Sequence, residues 1–290
     1  MMKRKSLARY MATIALSYCL SVFLVVLISG IIILRTVLSP WYILSRMEKS
    51  GFPEQTTEEI NEVFISYGLG SGIPREVMTS LLSPKHVADA AEGIIKETFA
   101  VGAGYSFEGY SSDIYQILYA FAQSEGIEIT EDVETGLRDL ADLCADSLRN
   151  HLSTPVFEIL SRFRQYTGTL FAVTTVFLIL TIITLIIIPY VNRRVTRWID
   201  GYIYALGAAL VICIGIPAAY YISEISSRLM ITPQSYNKLL SSWLDGIING
   251  YIVALIPISF ALLFFIIIRT VRKKNRYRAK GRRYSQAANI

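Results

Sequence analysis

An all-α integral membrane protein, with four transmembrane helices and a helical extracytoplasmic domain between spans one and two, is the fold class this sequence predicts. Three observations predict it. Apolar windows of the roughly 20 residues that a helix needs to cross a bilayer core occur at four places in the 290-residue chain, which is 53% hydrophobic. Basic residues gather before the first window, between the second and third, and after the fourth. The long segment between the first two windows is acidic and shows helical periodicity broken by turn signals, without the sustained alternation that strands need.

The charges predict the topology. Lys3, Arg4, Lys5 and Arg9 make a basic N-terminus over 1–9; Arg193, Arg194 and Arg197 lie in a turn over 191–201; and the tail, 269–290, carries Arg269, Arg272, Lys273, Lys274, Arg276 and Arg278. Positively charged loops stay in the cytoplasm, so the chain is expected in the cell membrane as a multi-pass protein with both termini cytoplasmic. Residues 37–166 then lie outside, where acids such as Glu58, Glu59, Glu62, Glu131 and Asp132 outnumber bases by about two to one.

Span one, 10–36, has a basic start followed by an apolar run too long for a cleaved signal, with no small-residue cleavage site after it. It reads as an uncleaved signal anchor, and Trp41 and Tyr42 follow where an interfacial aromatic belt is expected. In the domain, Thr57 is the expected N-cap of a helix presenting Ile60, Val63, Phe64 and Tyr67, ended by Gly68, Gly70 and Gly72. Pro74 opens a short element, and the Ser83-Pro84 pair opens a longer one with Val87, Ala91, Ile95 and Phe99 inward. Residues 103–110 read as a turn or irregular ribbon. Ser112 then opens a helix closed by Gly126. Thr130 caps another, with Glu131, Asp132 and Glu134 in the first turn where the helix dipole favours acids. Its core stripe runs Val133, Leu137, Leu140, Cys144 and Leu148. Cys19 and Cys213 fall in spans, which leaves Cys144 without an external partner, so residues 43–154 are expected to fold alone on an apolar core without a disulfide.

Pro155 to Tyr190 is expected to be one rod from domain into membrane, packing Phe157, Leu160 and Phe163 into the domain while Arg162, Arg164 and Tyr166 meet water and headgroups. Its membrane part, 167–190, repeats Thr167, Thr174 and Thr181 every seven residues, nearly on one face. That face is expected against span three, 202–223, whose Ala205, Ala208, Gly215 and Ala219 form a small-residue surface suited to close helix contact. Pro217 and Pro257 bend spans three and four. Between these, 224–246 returns outside with an amphipathic helix carrying Tyr236, Leu239, Leu240, Trp243 and Leu244, ahead of span four at 247–268.

No metalloprotease, thiol-redox, serine-hydrolase or phosphate-loop motif occurs. No span interior holds an Asp, Glu, Lys, Arg or His, which argues against proton coupling and voltage sensing. His86 and His151 have no partner at metal spacing and read as solvated, structural histidines; the acids Glu108 and Asp113 have generic spacing. No catalytic, cofactor or metal site is expected. The basic tail, interleaved with Tyr277 and Tyr284, is expected on anionic lipid, each charge contributing about 1 kcal/mol, rather than on nucleic acid. The expected function is that of a non-enzymatic envelope protein whose external domain binds a partner or signal, another envelope or membrane protein, and is anchored or coupled through the spans. In its order of one span, an external domain and three spans, the chain resembles the permease subunits of the cell-division and lipoprotein-release transporters, in topology alone, although the 191–201 turn leaves little to dock an ATPase. The alternative function is therefore a permease subunit with a passage between the bent spans three and four.

Overall fold

The computed structural model describes residues 2–99, 105–153, 162–192, 195–228 and 231–287, with side chains described from residue 9 to residue 275 apart from 195, 196 and 227. All its regular structure is helical, and four helices have the length and apolarity to cross a membrane. The chain divides into two compact units. One holds residues 1–34, 168–225 and 245–290; the other holds 35–167 and 226–244.

The second unit is built on helices that start as local chemistry dictates. Ser39 caps α2 (Pro40–Lys49) with its side chain and places Pro40 in the first turn. Gly51, at φ +66, supplies the left-handed residue that a side chain would strain, and so turns α2 sharply into α3 (Phe52–Ser71). The expected start of α3 at Thr57 is corrected. Thr57 is a turn inside the helix, its hydroxyl donating to the Pro53 carbonyl at 2.7 Å, because Pro53 provides the first-turn proline and Gly51 the corner. After α4 (Arg75–Ser80), Ser83 and His86 form a reciprocal capping box on α5 (Pro84–Thr98). The next correction is at Ser106, which caps α6 (Phe107–Ser124) well before Ser112, so the expected ribbon over 103–110 is in part helix; residues 103 and 104 lie outside the described residues. Thr130 caps α7 (Glu131–Leu152) as its first-turn acids suggest.

These helices bury Phe52, Phe64, Met78, Ile95, Ile114 and Leu148, each at 0% exposure. Burying such a side chain is worth roughly 1.5–3 kcal/mol. Tyr236 and Leu239, from far along the chain, sit in the same core. Tyr236 stands edge-on to Phe52, ring centroids 5.1 Å apart. Residues 43–154 therefore do not make the whole core: Tyr236, from the segment expected between spans three and four, is part of it.

The rod expected from Pro155 to Tyr190 is also corrected. Residues 154–161, with Phe157 and Leu160, lie outside the described residues. Residues 162–165 are helical, Tyr166 makes a turn closed by its N–H on the Phe163 carbonyl at 3.0 Å, and α8 (Thr167–Val191) begins afterwards. Phe163 is 47% exposed, so it does not pack into the domain core. Arg164 donates to the Thr98 carbonyl at 2.7 Å, a cation at the C-terminal end of α5 where the helix dipole attracts it.

In the first unit, α1 (Met2–Thr36), α8, α9 (Val195–Ile222) and the later part of α11 (Gln234–Ala287) pack together; α10 (Ile225–Arg228) is a single short turn. The first span meets all the others. Phe23 stands edge-on to Phe177 of α8 at 5.6 Å, and Gly201 of α9 lies so close to Thr13 and Ser17 that a Cβ there would come within 3.1 Å of each. On α11, Tyr251 shares a hydrogen bond with Ser29 at 2.9 Å. The turn expected over 191–201 is shorter than that, because α9 already begins at Val195; Arg193 and Arg194 lie outside the described residues. Span four and its amphipathic preface, expected as separate helices, are one helix that continues through the tail to Ala287, with Gly246, Gly250 and Pro257 all absorbed within it.

Candidate functional site

The most connected polar group of the second unit is Glu59 on α3. One carboxylate oxygen accepts the backbone N–H of Ser235 at 2.9 Å; the other accepts the Ser235 hydroxyl at 2.6 Å and lies 3.3 Å from Nε2 of His151. Tyr236 donates its hydroxyl to the His151 carbonyl at 2.9 Å. Ser235 and Tyr236 form the first turn of α11, so Glu59 supplies from another helix the carboxylate that such a first turn needs. A helix end thus becomes fastened to α3 and α7.

His151 is correspondingly not a solvated histidine. Burial pushes its pKa below the usual value, opposed by the Glu59 charge and hydrogen bond, which favour the proton. The order of groups is serine, carboxylate, imidazole, with the carboxylate in the middle. A serine nucleophile needs the imidazole next to its hydroxyl, and Ser235 is 0% exposed, so the cluster is built to hold a helix. Cys144 is buried, and desolvation pushes its thiol up to about 12. His86 serves the α5 cap and faces the Tyr110 ring at 5.4 Å.

Two concave surfaces mark the same unit. A cavity of 540 Å³ opens where α2, the Gly51 corner and the start of α5 meet, with Met47 and Pro53 beneath and Trp41, Glu48, Glu54 and Lys85 around it. A second, of 370 Å³, lies between α6 and α7. It contains Glu108, and several of its polar groups are engaged with one another or with neighbours: Ser111 donates to Asp142 at 2.5 Å, and Arg138 pairs with Glu134 at 2.8 Å while lying over the Tyr115 ring. Asp113 does not line that cavity; with Asp89 it helps burial raise the Tyr105 hydroxyl. Among the described residues no three potential metal ligands cluster.

The expected helix-packing residues are redistributed. Thr174 and Thr181 are buried and Thr167 is half-buried, yet the neighbour of Thr174 is Gly30 of α1, where an added Cβ would meet its hydroxyl oxygen at 2.5 Å. On α9 only Ala205 of the expected small residues is buried; Ala208, Gly215 and Ala219 face outward. The inward face is instead Tyr202, Ala205, Ala209, Cys213 and Tyr220. The physical reason is that both tyrosines need partners for their hydroxyls, and they find them at the Leu185 carbonyl, 2.6 Å, and Asp245, 2.7 Å. Arg269 of the tail lies 2.7 Å from Asp200 of α9, whereas Arg272, Lys273 and Lys274 are exposed; the side chains of Arg276 and Arg278 lie outside the described residues.

Sequence reasoning missed Glu59, Ser235 and Tyr236. The available signals were an acid on the inward side of α3 beside Thr56 and Ile60, and a fourth cap-then-proline string at Thr232-Pro233. Nothing in either says that they meet across 176 positions. The chain matches no family model, no curated protein and no solved structure.

Proposed function

We propose that this chain is a non-enzymatic, multi-pass protein of the cell envelope whose helical domain lies outside the membrane, receives a partner protein there, and passes its state inward along α11. One observation carries the reading. Helix α11 begins in the domain, where Glu59 and His151 hold its first turn, and runs unbroken through an apolar span into the basic tail, 54 residues in all. At 1.5 Å per residue that is about 81 Å of continuous helix. A rigid helix with one end fixed transmits rotation or translation to the other, as a flexible linker does not.

The side assignment has its own support. Because 226–244 belongs to the same compact unit as 35–167, the loop after span one and the loop after span three share a side. The chain termini and the turn after span two then share the other, and the basic groups assign that side to the cytoplasm. Arg272, Lys273 and Lys274 there are exposed and suited to anionic lipid.

Trypsin cleavage after Lys273 and Lys274 in inside-out membrane vesicles reads the tail. Glu59→Gln, which loosens the first turn of α11, is expected to change the cleavage rate in the intact chain and to leave it unchanged when three glycines are inserted after Gly246. Equal rates in all four proteins would reduce the spans to an anchor.

A further inference from the structure

The 540 Å³ cavity on the second unit has a composition that names its occupant. Its floor is apolar: Met47 and Pro53 are buried, and Ala88 is half-buried. Its wall is Trp41, an indole left 65% exposed. Around these stand the carboxylates of Glu48, Glu54 and Glu92 against the single ammonium of Lys85. Glu92 is engaged by Lys96 in an ion pair, while among the described residues Glu48 and Glu54 have no cationic partner.

The backbone explains why the two unpaired carboxylates face one cavity. Glu48 ends α2 and Glu54 opens α3, on either side of the corner that Gly51 turns, so a single left-handed residue brings them to one rim. Glu54 is also held in the first turn of α3, where the dipole favours its charge. An apolar floor, an aromatic face and unpaired carboxylates together recognise an alkyl chain that ends in a cation. The ring face attracts the cation, the floor takes the methylenes, and the carboxylates set the sign.

We infer that this cavity binds a lysine- or arginine-bearing peptide segment of a partner protein. The inference rests on the reading that the domain receives a partner, and it names where and by what chemistry. A lipid headgroup is the competing occupant, but every phospholipid brings a phosphate, which the carboxylates repel. A peptide brings cations without that anion.

The test uses the full chain in phosphatidylcholine nanodiscs and a fluorescent hexapeptide alternating valine and lysine, with empty nanodiscs subtracted. The peptide should bind, and its glutamate counterpart should not. Glu48→Gln with Glu54→Gln is expected to weaken binding about two- to thirtyfold, the combined effect of losing two exposed charge pairs. Lys85→Glu should strengthen binding, a gain that misfolding cannot imitate. Trp41→Ala should weaken it. Asp139→Asn with Asp146→Asn, exposed acids on α7, should leave it unchanged and so separate the cavity from general acidity. Equal binding of both peptides, or indifference to the Glu48, Glu54 and Lys85 changes, overturns the inference. So does quenching of Trp41 emission by headgroup-labelled lipid, identified by its loss in Trp41→Phe, because the bilayer would then be the occupant. The glycine insertion after Gly246 keeps the two ideas apart. Peptide binding lost with tail coupling kept removes the cavity alone; binding kept with coupling lost removes the relay alone.

Discussion

In the span bundle one hydroxyl after another turns back on its own helix: Thr13 to Arg9, Ser17 to Thr13, Thr181 to Phe177 and Thr184 to Leu180 at 2.7 Å, and Thr174 to Leu170 at 2.8 Å. In the domain hydroxyls turn back too, as Thr57 does to Pro53 and Thr135 to Glu131, and further polar bonds run between distant parts of the chain. Tyr110 donates to the Leu81 carbonyl, Tyr67 pairs with Ser147, Tyr236 reaches His151, and Ser235 reaches Glu59. The contrast follows from the surroundings. Where hydrocarbon surrounds a helix, a hydroxyl that waits for a distant partner is left costly and unsatisfied, and its own carbonyl one turn back is always within reach. Where water competes and the hydrophobic effect has already gathered the chain, a distant polar partner adds specificity to a core that burial holds together. The bundle therefore depends on shape, with a few crossing bonds such as Asn192 to Thr13 at 2.7 Å. The domain depends on burial, and its polar joints decide which pieces belong.

The largest expected break in this contrast is Tyr236→Ala. It removes a fully buried ring that faces Phe52, and ring deletions in cores cost about 3–5 kcal/mol. Amide hydrogen exchange in α3 and α7 should quicken while α8 and α9 stay as they were. The same logic makes a 43–154 fragment weakly folded until a 231–244 peptide is added, and circular dichroism with and without that peptide measures the gain. A fragment equally stable in both conditions would show that the core closes without Tyr236.

Glu59→Ala comes next, at about 2–3 kcal/mol, because two donors of Ser235 lose a charged acceptor in a buried place. Exchange should be fastest in the first turn of α11. On the bundle side, Gly30→Ala forces a methyl against the Thr174 hydroxyl, and overpacking of that kind costs about 1–3 kcal/mol. Thr174→Ala alone should cost little, since that hydroxyl bonds its own helix, and it should rescue Gly30→Ala in the double variant. Thermal unfolding in detergent of the four proteins completes the cycle. Additive losses would mean that α1 and α8 do not meet there.

The smallest effect is the pH dependence at His151. Its folded pKa lies below the unfolded value, so the unfolded chain takes up the proton first. The stability tied to the neutral ring is complete above about pH 6.5 and is lost as pH falls through the folded pKa. Domain stability should thus decline on mild acidification, and His151→Gln should flatten the decline. A domain that grows more stable over that window would mean that the pairing with Glu59 outweighs burial.

Much of the architecture was legible because its causes are local. The apolar windows are helices, the caps at Ser83 and Thr130 stand where serine or threonine precedes proline or acids, and the α7 stripe through Leu140, Cys144 and Leu148 is buried. Each of these depends on residues within a turn or two of one another. The misreadings were local ambiguities that the tertiary structure resolved: Thr57 could cap or could bond back within a helix, and Ala208, Gly215 and Ala219 could face a helix or lipid. Of the candidate sites, the acids at the rim could be read as acids and Trp41 as an interfacial residue, but only the Gly51 corner placed them around one cavity.

By itself the sequence determined the helical character, the four apolar windows, the caps at Ser83 and Thr130 and the grouping of the basic residues, since hydrophobic length, capping and charge act along the chain. Only the tertiary structure decided which distant segment enters the core of the second unit, and it chose the first turn of α11. That choice depends on a carboxylate at position 59 meeting a backbone N–H at position 235. Periodicity records which way each residue faces on its own helix, and it carries no information about which distant helix it will face.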